Sequence, residues 1–352
     1  MADHIAFANR VAIVTGGGRG LGAAYAKELA DRGAAVVVHD LGSTVAGHGS
    51  DPHPAESVAA QIRATGGRAL ACTTDASAPD GGEAAVKSAI AEFGRIDIVV
   101  ANAGIIHSDP LPDWPTERFE ALLRHHLLAA FHVARPAFRY MKCAGYGRLV
   151  FVSSAAGMFG QPGLAGYATA KAGMLGLMNV AAIEGAEYGI RVNAIMPMGH
   201  TRMAAAVLGP AGQTPEALAF LDTLRLDQVA PVVAYLASEQ CTLTHTVLSA
   251  FSGRIAALRV GMTTGWFSPG ESFTAEDVAA HLPEVIDPEG MFLPDSIHDE
   301  MGYVTSRLAG PREPDKPTAR GVDSARLVTQ QDGYGKDRDH RGSQDDRNHR
   351  RE

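Results

Sequence analysis

The stretch VAIVTGGGRGLGAAYAKELADRG, residues 11–33, carries three patterns in succession. Val11 to Thr15 is a short run of β-branched and small apolar residues, the composition of a strand buried on both faces. Gly16, Gly20 and Gly22 follow in the spacing GxxxGxG, and from Ala23 the apolar residues recur at helical intervals until Gly33. Glycine is needed where a chain turns sharply and where its backbone must lie against a phosphate, and the first amides of the helix that follows point at that anion. Glycines alone are weak evidence, and a turn required only for packing is the alternative. Between a buried strand and an amphipathic helix, however, they predict a dinucleotide site with Gly16, Gly20, Leu21 and Gly22 beside the phosphates.

Further along the chain the same strand type returns as AAVVVHD (34–40), RALACTTD (68–75), IDIVVANAG (96–104), GRLVFVSS (147–154) and IRVNAIMP (190–197). Each run is bounded by Gly, Pro or Asp, and the Ala-rich segments between them are long enough for crossover helices. Six strands so spaced predict a doubly wound α/β fold, a parallel sheet of the Rossmann type with helices on both faces. No linker interrupts the first 240 residues, so residues 1–255 are expected to form one domain. Residues 256–304, with a short helix opened by Thr274, are expected to pack on it as an extension. From about residue 305 the composition becomes polar. The last 21 residues hold six acidic and six basic side chains, too little apolar surface to offset the entropy of ordering, and residues 305–352 are expected to be disordered. His340 and His349 in that tail are not read as metal ligands.

Composition narrows the function classes. The chain has 352 residues, 46% hydrophobic and 20% charged, as in ordinary globular domains, and its net charge of -8 argues against nucleic-acid binding. Cys72, Cys143 and Cys241 lie far apart with no CxxC pair, which excludes a disulfide framework and a cysteine-rich zinc site and suits a reducing, cytoplasmic location. MADHIAFANR lacks the apolar core of a signal peptide. The apolar region 149–183 is broken by Gly160, Pro162, Gly163 and Lys171, so no membrane span is expected.

Two carboxylates follow the glycine loop at strand ends. Asp40 closes the second strand about twenty residues on, where a carboxylate accepts hydrogen bonds from the adenosine ribose hydroxyls and repels a 2′-phosphate. Arg19 inside the loop pulls the other way, since it can pair with such a phosphate. NAD is therefore preferred, with NADP kept open. Asp75 either meets the adenine amino group or caps the next helix. Asn102, Ala103 and Gly104 close the fourth strand where a loop must pass close under the cofactor.

SSAAGMFGQPGLAGYATAKAG contains Ser154 at a strand end, and Tyr167 and Lys171 four apart on one helix face. Moving a hydride from a carbinol carbon requires a group that takes the hydroxyl proton, and a phenol is too weak a base near neutrality unless a cation stabilises its phenolate. In this scheme Tyr167 is the base, Lys171 lowers its pKa and grips the nicotinamide ribose, and Ser154 holds the substrate oxygen. An exposed tyrosine beside a solvated lysine is the bland alternative. Against it stand the glycine loop, the serine thirteen residues upstream, and the scarcity of lysine, six among 31 basic residues.

In TGGGRGLG, NAG, Ser154, YATAK and the IMP turn at 195–197, the sequence resembles the short-chain dehydrogenase/reductase family over about residues 8–255. More narrowly, VVVHDLG with the insertion STVAGHGSDPHPAES, and LSAFSGRIAALRVGMTTGW after Cys241, resemble the (3R)-hydroxyacyl-CoA dehydrogenase portion of multifunctional β-oxidation enzymes of type 2 and their bacterial relatives. The resemblance implies oxidation of a (3R)-hydroxyacyl-CoA or a related hydroxysteroid, with Pro197 and Thr201 at the nicotinamide. It also implies a homodimer or homotetramer paired through the helix from Tyr167 to Glu184. Met198 to Leu226, with Gly209 and Gly212, then reads as an apolar lid over a hydrophobic substrate, with an oligomer contact as the alternative. Where the wider family has a catalytic Asn, RHHLLAAFHVA places His126, either a neutral imidazole holding a relay water for Lys171 or a buried structural histidine. No hydratase or carrier domain is read after the dehydrogenase, and RRE is not a peroxisomal address. Two other functions stay open: an NADPH-dependent 3-oxoacyl or carbonyl reductase, and a non-catalytic protein that senses the cofactor ratio.

Overall fold

The computed structural model describes residues 4–208, 214–270 and 272–308. In chain order the elements are β1 (Val11–Thr15), α1 (Gly20–Asp31), β2 (Ala35–His39), α2 (His53–Ala64), β3 (Arg68–Cys72), α3 (Pro79–Phe93), β4 (Ile98–Ala101), α4 (Thr116–Leu122), α5 (Ala129–Ala144), β5 (Gly147–Val152), α6 (Ala156–Phe159), α7 (Ala165–Gly185), β6 (Ile190–Pro197), α8 (Arg202–Leu208), α9 (Pro215–Thr223), α10 (Ala230–Ala237), β7 (Thr246–Phe251), β8 (Arg254–Leu258), α11 (Ala275–Ala280), α12 (Leu282–Val285) and α13 (Ile297–Leu308). The strands form one sheet in the order β3-β2-β1-β4-β5-β6-β7-β8. Neighbours are parallel throughout, except that β8 runs antiparallel to β7.

The six expected strands are present, and they are apolar without alternation because both faces are covered. Val14, Val38 and Val152 pack on one side with Tyr25 and Leu29 of α1, Val58 of α2 and Val233 of α10. Ile13, Val37 and Phe151 pack on the other with Val86 of α3, Val133 of α5 and Met174 of α7. At the opposite edge from the carboxyl ends, the buried Asp97 accepts bonds from Arg10, Arg95 and the Val11 amide, so its charge is paired rather than stranded.

Two further strands lie where the sequence was read only as a change of character. β7 and β8 are joined at Ser252 and Gly253, with φ of 48° and 76°, the left-handed pair of a two-residue hairpin turn. The chain up to Asp295 forms one compact unit. Within it, α11 begins as expected at Thr274, whose hydroxyl accepts from Asp277 N (3.2 Å) while the Asp277 carboxylate accepts from Thr274 N (2.9 Å). The indole of Trp266 stacks on His281 at 4.2 Å. A second unit starts at Ser296 and, among the described residues, consists of α13. Residues 309–352, with His340 and His349, lie outside the described residues, as do Gly209 and Gly212. No helix among the described residues is long and apolar enough to cross a membrane.

Candidate active site

Strand order reverses between β1 and β4, and a cavity of about 850 Å³ opens at the carboxyl ends there, the usual ligand position in doubly wound sheets. The structure places every candidate residue on its wall: Gly16, Arg19, Gly20, Leu21, Gly22, Asp40, Asp75, Asn102, Ala103, Gly104, His126, Ser154, Tyr167, Lys171, Pro197 and Thr201.

At the glycine loop, a Cβ on Gly22 would lie 2.6 Å from Asn102 Nδ2 and against the Gly16 carbonyl, so no larger residue fits. A Cβ on Gly20 would meet nothing nearer than Thr201 Cγ2 at 3.3 Å, so the bare backbone there faces the cavity. α1 starts without a side-chain cap and without an acidic residue in its first turn, which leaves its leading amides for an anion. These features fit a dinucleotide diphosphate. Asn102 is fixed under the loop, donating from Nδ2 to Thr15 O (3.0 Å), and the Thr15 hydroxyl accepts from the Asn102 and Ala103 amides at 2.9 and 3.0 Å. Thr15 was not singled out in the sequence, although a hydroxyl at the strand's last position was the available signal.

Asp40 binds its own chain as well as facing the cavity. Its carboxylate accepts from Gly18 N (2.8 Å) and Gly42 N (2.7 Å). Arg19 turns toward the segment after β2, donating to Ser43 O at 3.1 Å with Asp51 Oδ2 3.7 Å away. Asp75 accepts from Ser77 N at 2.8 Å, which bends the loop, and Ala78 rather than Asp75 precedes α3. Thr201 Oγ1 accepts from Ala204 N (3.3 Å) at the start of α8.

At the catalytic end, β5 delivers Ser153 and Ser154, and α7 delivers Tyr167 and Lys171. Ser153, missed in the sequence, donates from its buried hydroxyl to Lys171 O at 2.8 Å and pins α7 to the strand end. Burial raises the pKa of the Tyr167 phenol, and a hydrogen bond with Ser154 opposes that rise. Lys171 is 3% exposed, and burial lowers its pKa to about 7. Its Nζ donates to Val152 O (2.6 Å) and lies 5.7 Å from the centre of the Tyr167 ring.

His126 sits in a π-helical turn, Leu123–Leu128, between α4 and α5. Such turns add a residue to a helix and re-aim a side chain. Its ring meets Tyr167 edge to face at 5.1 Å. Nε2 lies 2.7 Å from Ile105 O and 3.1 Å from Ile105 N, and Nδ1 is buried with no partner among the described residues. Burial first, and the Lys171 charge second, hold its pKa well below the ordinary histidine value, so the imidazole is neutral. A side chain at Gly104 would collide with this ring.

Alongside the polar Gln161, His200 and Arg202, the cavity wall carries a set of apolar side chains. Met203 and Val207 of α8 and Phe220, Leu221 and Leu224 of α9 and its end line it, within the segment expected to be a lid. Ile106, Ala156 and Leu164 form a small cluster there, with Val45, Tyr167, Met203 and Val207 packed against it. Val45 belongs to the insertion after β2, and its place in the site was not read from the sequence.

The short chain dehydrogenase family model matches residues 10–208. A short-chain type dehydrogenase/reductase of Mycobacterium tuberculosis is 38% identical over 286 residues, covering 80% of this chain and 96% of the relative. The peroxisomal multifunctional enzyme type 2 of Mus musculus is 37% identical over 310 residues, 88% of this chain but 41% of that enzyme. The solved full-length peroxisomal multifunctional enzyme type 2 of Drosophila melanogaster superposes with a TM-score of 0.71 at 30% identity, covering 87% of this chain and 50% of that one. The chain thus spans half or less of these multifunctional relatives. A glycine loop, a serine at a strand end and a tyrosine–lysine pair on one cavity agree with that match, and the chain belongs to the short-chain dehydrogenase family of oxidoreductases acting on CH–OH groups.

Proposed function

We propose that the chain oxidises the hydroxyl-bearing carbon of a (3R)-hydroxyacyl-CoA, or of a related hydroxysteroid, with NAD, in the β-oxidation of fatty acyl or sterol side chains. One observation carries the reading. Ser154, Tyr167, Lys171 and His126 meet on a single cavity that has Asp40 at one end and the apolar side chains of α8 and α9 at the other. The multifunctional relatives support the acyl-CoA substrate, and the (3R) configuration rests on that likeness.

Gly16, Gly20, Leu21 and Gly22 would hold the diphosphate, Asp40 the ribose hydroxyls, and Asp75 the adenine amino group. Asn102, Ala103 and Gly104 would pass beneath it, with Lys171, Pro197 and Thr201 at the nicotinamide end. When bound, the nicotinamide supplies the carrier for the hydride. Ser154 then holds the substrate oxygen, and Tyr167 takes the carbinol proton. A phenol in this half-buried position needs a neighbouring cation to give up its own proton, and Lys171 lies near enough to supply one. With a pKa of about 7, Lys171 can carry that charge and also pass a proton on near neutral pH. His126, whose Nδ1 is fully enclosed without a partner among the described residues, packs edge to face against Tyr167 and holds the phenol in place.

NAD is favoured over NADP because the Arg19 guanidinium is engaged by the Ser43 carbonyl and Asp51, while the Asp40 side chain faces the ribose end. Arg19 nevertheless lines the cavity, and an NADPH-dependent 3-oxoacyl or carbonyl reductase is the second reading. The reading also includes a cytoplasmic homodimer or homotetramer paired through α7, whose Val180 and Ile183 are 53% and 55% exposed. Comparing wild type with Tyr167→Phe tests catalysis. Turnover should fall about 10²–10⁴-fold while NADH affinity holds. Equal turnover would refute the role of Tyr167, and NADH binding by a wild type that turns nothing over would favour a sensor.

A further inference from the structure

The connection from Asp40 to Pro52 joins β2 to α2 with thirteen residues, longer than the two to six usual for such connections. It is closed at its neck. Asp51 N donates to Leu41 O at 2.9 Å, and the Gly42 backbone lies directly against Asp51. It is also closed near its tip, where Thr44 N donates to His48 O (2.9 Å) and Gly47 N to Thr44 O (3.0 Å). Such a compact loop holds its shape through its own bonds.

Its two ends are fastened to different parts of the cavity. The neck is tied to the cofactor end through Asp40 and Gly42 N (2.7 Å) and through Arg19 and Ser43 O (3.1 Å). The tip is tied to the catalytic end, where Ile106 N donates to Val45 O at 2.9 Å. A Cβ on Gly47 would lie 3.1 Å from Ile105 Cδ1, so the tip lies close against the strand-end loop. The half-buried Val45 side chain lines the cavity beside Tyr167, Met203 and Val207.

We infer that this loop is the fixed wall of the substrate pocket and that Val45 is a specificity-determining residue, setting how bulky a substituent the alcohol can carry beside its reacting carbon. The inference rests on the dehydrogenase reading above and extends it to a residue outside the catalytic set. One packed segment then borders both ligands: its neck completes the ribose end, and its tip shapes the alcohol end.

The experiment compares wild type with Val45→Ala and Val45→Phe on (3R)-hydroxyacyl-CoA thioesters of short, medium and long chain, on a cyclic secondary alcohol and on a hydroxysteroid. NADH binding is measured for each protein. Val45→Phe should lower kcat/KM for the bulkiest accepted substrate about tenfold relative to the smallest, and Val45→Ala should move the ratio the other way, since a methylene or two in an apolar pocket changes discrimination by that order. NADH affinity should stay within about twofold in both. An unchanged ratio in both variants would overturn the inference, as would a change explained wholly by NADH affinity. If wild type refuses every thioester yet oxidises another alcohol, the acyl-CoA reading fails, and the ratio among the accepted alcohols still decides the role of Val45. A wild type that oxidises nothing would overturn both.

Discussion

Lys171 is 3% exposed, and burial lowers its pKa from the 10.5 of a free lysine to about 7. Above the unfolded pKa the side chain is neutral in both states, and below about 7 it is charged in both. Between these limits only the unfolded chain holds the extra proton, so stability rises with pH across that window, by at most about 1.4 kcal/mol per unit. At pH 7 and below the penalty is complete, on the order of 5 kcal/mol for a shift of this size. Lys171→Met removes the titrating group and keeps an unbranched apolar chain. It also frees the Val152 carbonyl, which costs about 1 kcal/mol at every pH. The cofactor-free variant should therefore be more stable than wild type at neutral pH, and the gap should shrink by about 2–3 kcal/mol from roughly pH 7.5 to 9.5. Urea unfolding followed by fluorescence of Trp114 and Trp266, at fixed protein concentration, reads this directly. A gap that does not change with pH would mean that the lysine stays charged in the folded protein, and the proton-relay role given to it would fall. The same variant should be nearly inactive, so that a stability gain accompanies a loss of function.

Two further substitutions probe separate parts of the site. Asp40→Ala removes both the acceptor of the Gly18 and Gly42 amides and the charge facing the ribose end. The NAD-to-NADP ratio of kcat/KM should fall at least about tenfold, the equivalent of one charge-assisted hydrogen bond, and an unaltered ratio would remove Asp40 from cofactor choice. Gly104→Ala drives a methyl into the buried His126 ring. Calorimetry should show a loss of about 1–3 kcal/mol typical of overpacking, whereas an unchanged Tm would mean that His126 turns aside easily.

The parts of the fold legible in the sequence were those whose signals are local. Strands β1 to β6 could be read because a strand covered on both faces must be a continuous β-branched run, and Asp40, Asn102 and Ser154 follow because ligands gather where such strands end. β7 and β8 carried a readable signal too, the Ser252–Gly253 pair between two apolar runs, but the break in character after Cys241 obscured it. The π-helical turn around His126 has no local signature, since it is set by packing against Ile105 and Tyr167. The direction of Arg19 was illegible for a similar reason: its partners, Ser43 and Asp51, lie in a loop whose path depends on tertiary bonds. Val45 was visible as part of an insertion, but that the insertion reaches the alcohol end is set by tertiary contacts, the backbone bond to Ile106 and the packing of Val45 on Ile106, Ala156 and Leu164.

The most direct test of the account is reduced-cofactor formation by the purified protein with matched (3R)- and (3S)-hydroxyacyl-CoA thioesters and a 17β-hydroxysteroid, offering NAD and NADP separately. The expected result is turnover of the (3R) thioester with NAD, and little with the (3S) form or with NADP. Preference for the (3S) thioester, or silence on all thioesters while the protein oxidises some other alcohol, would contradict it.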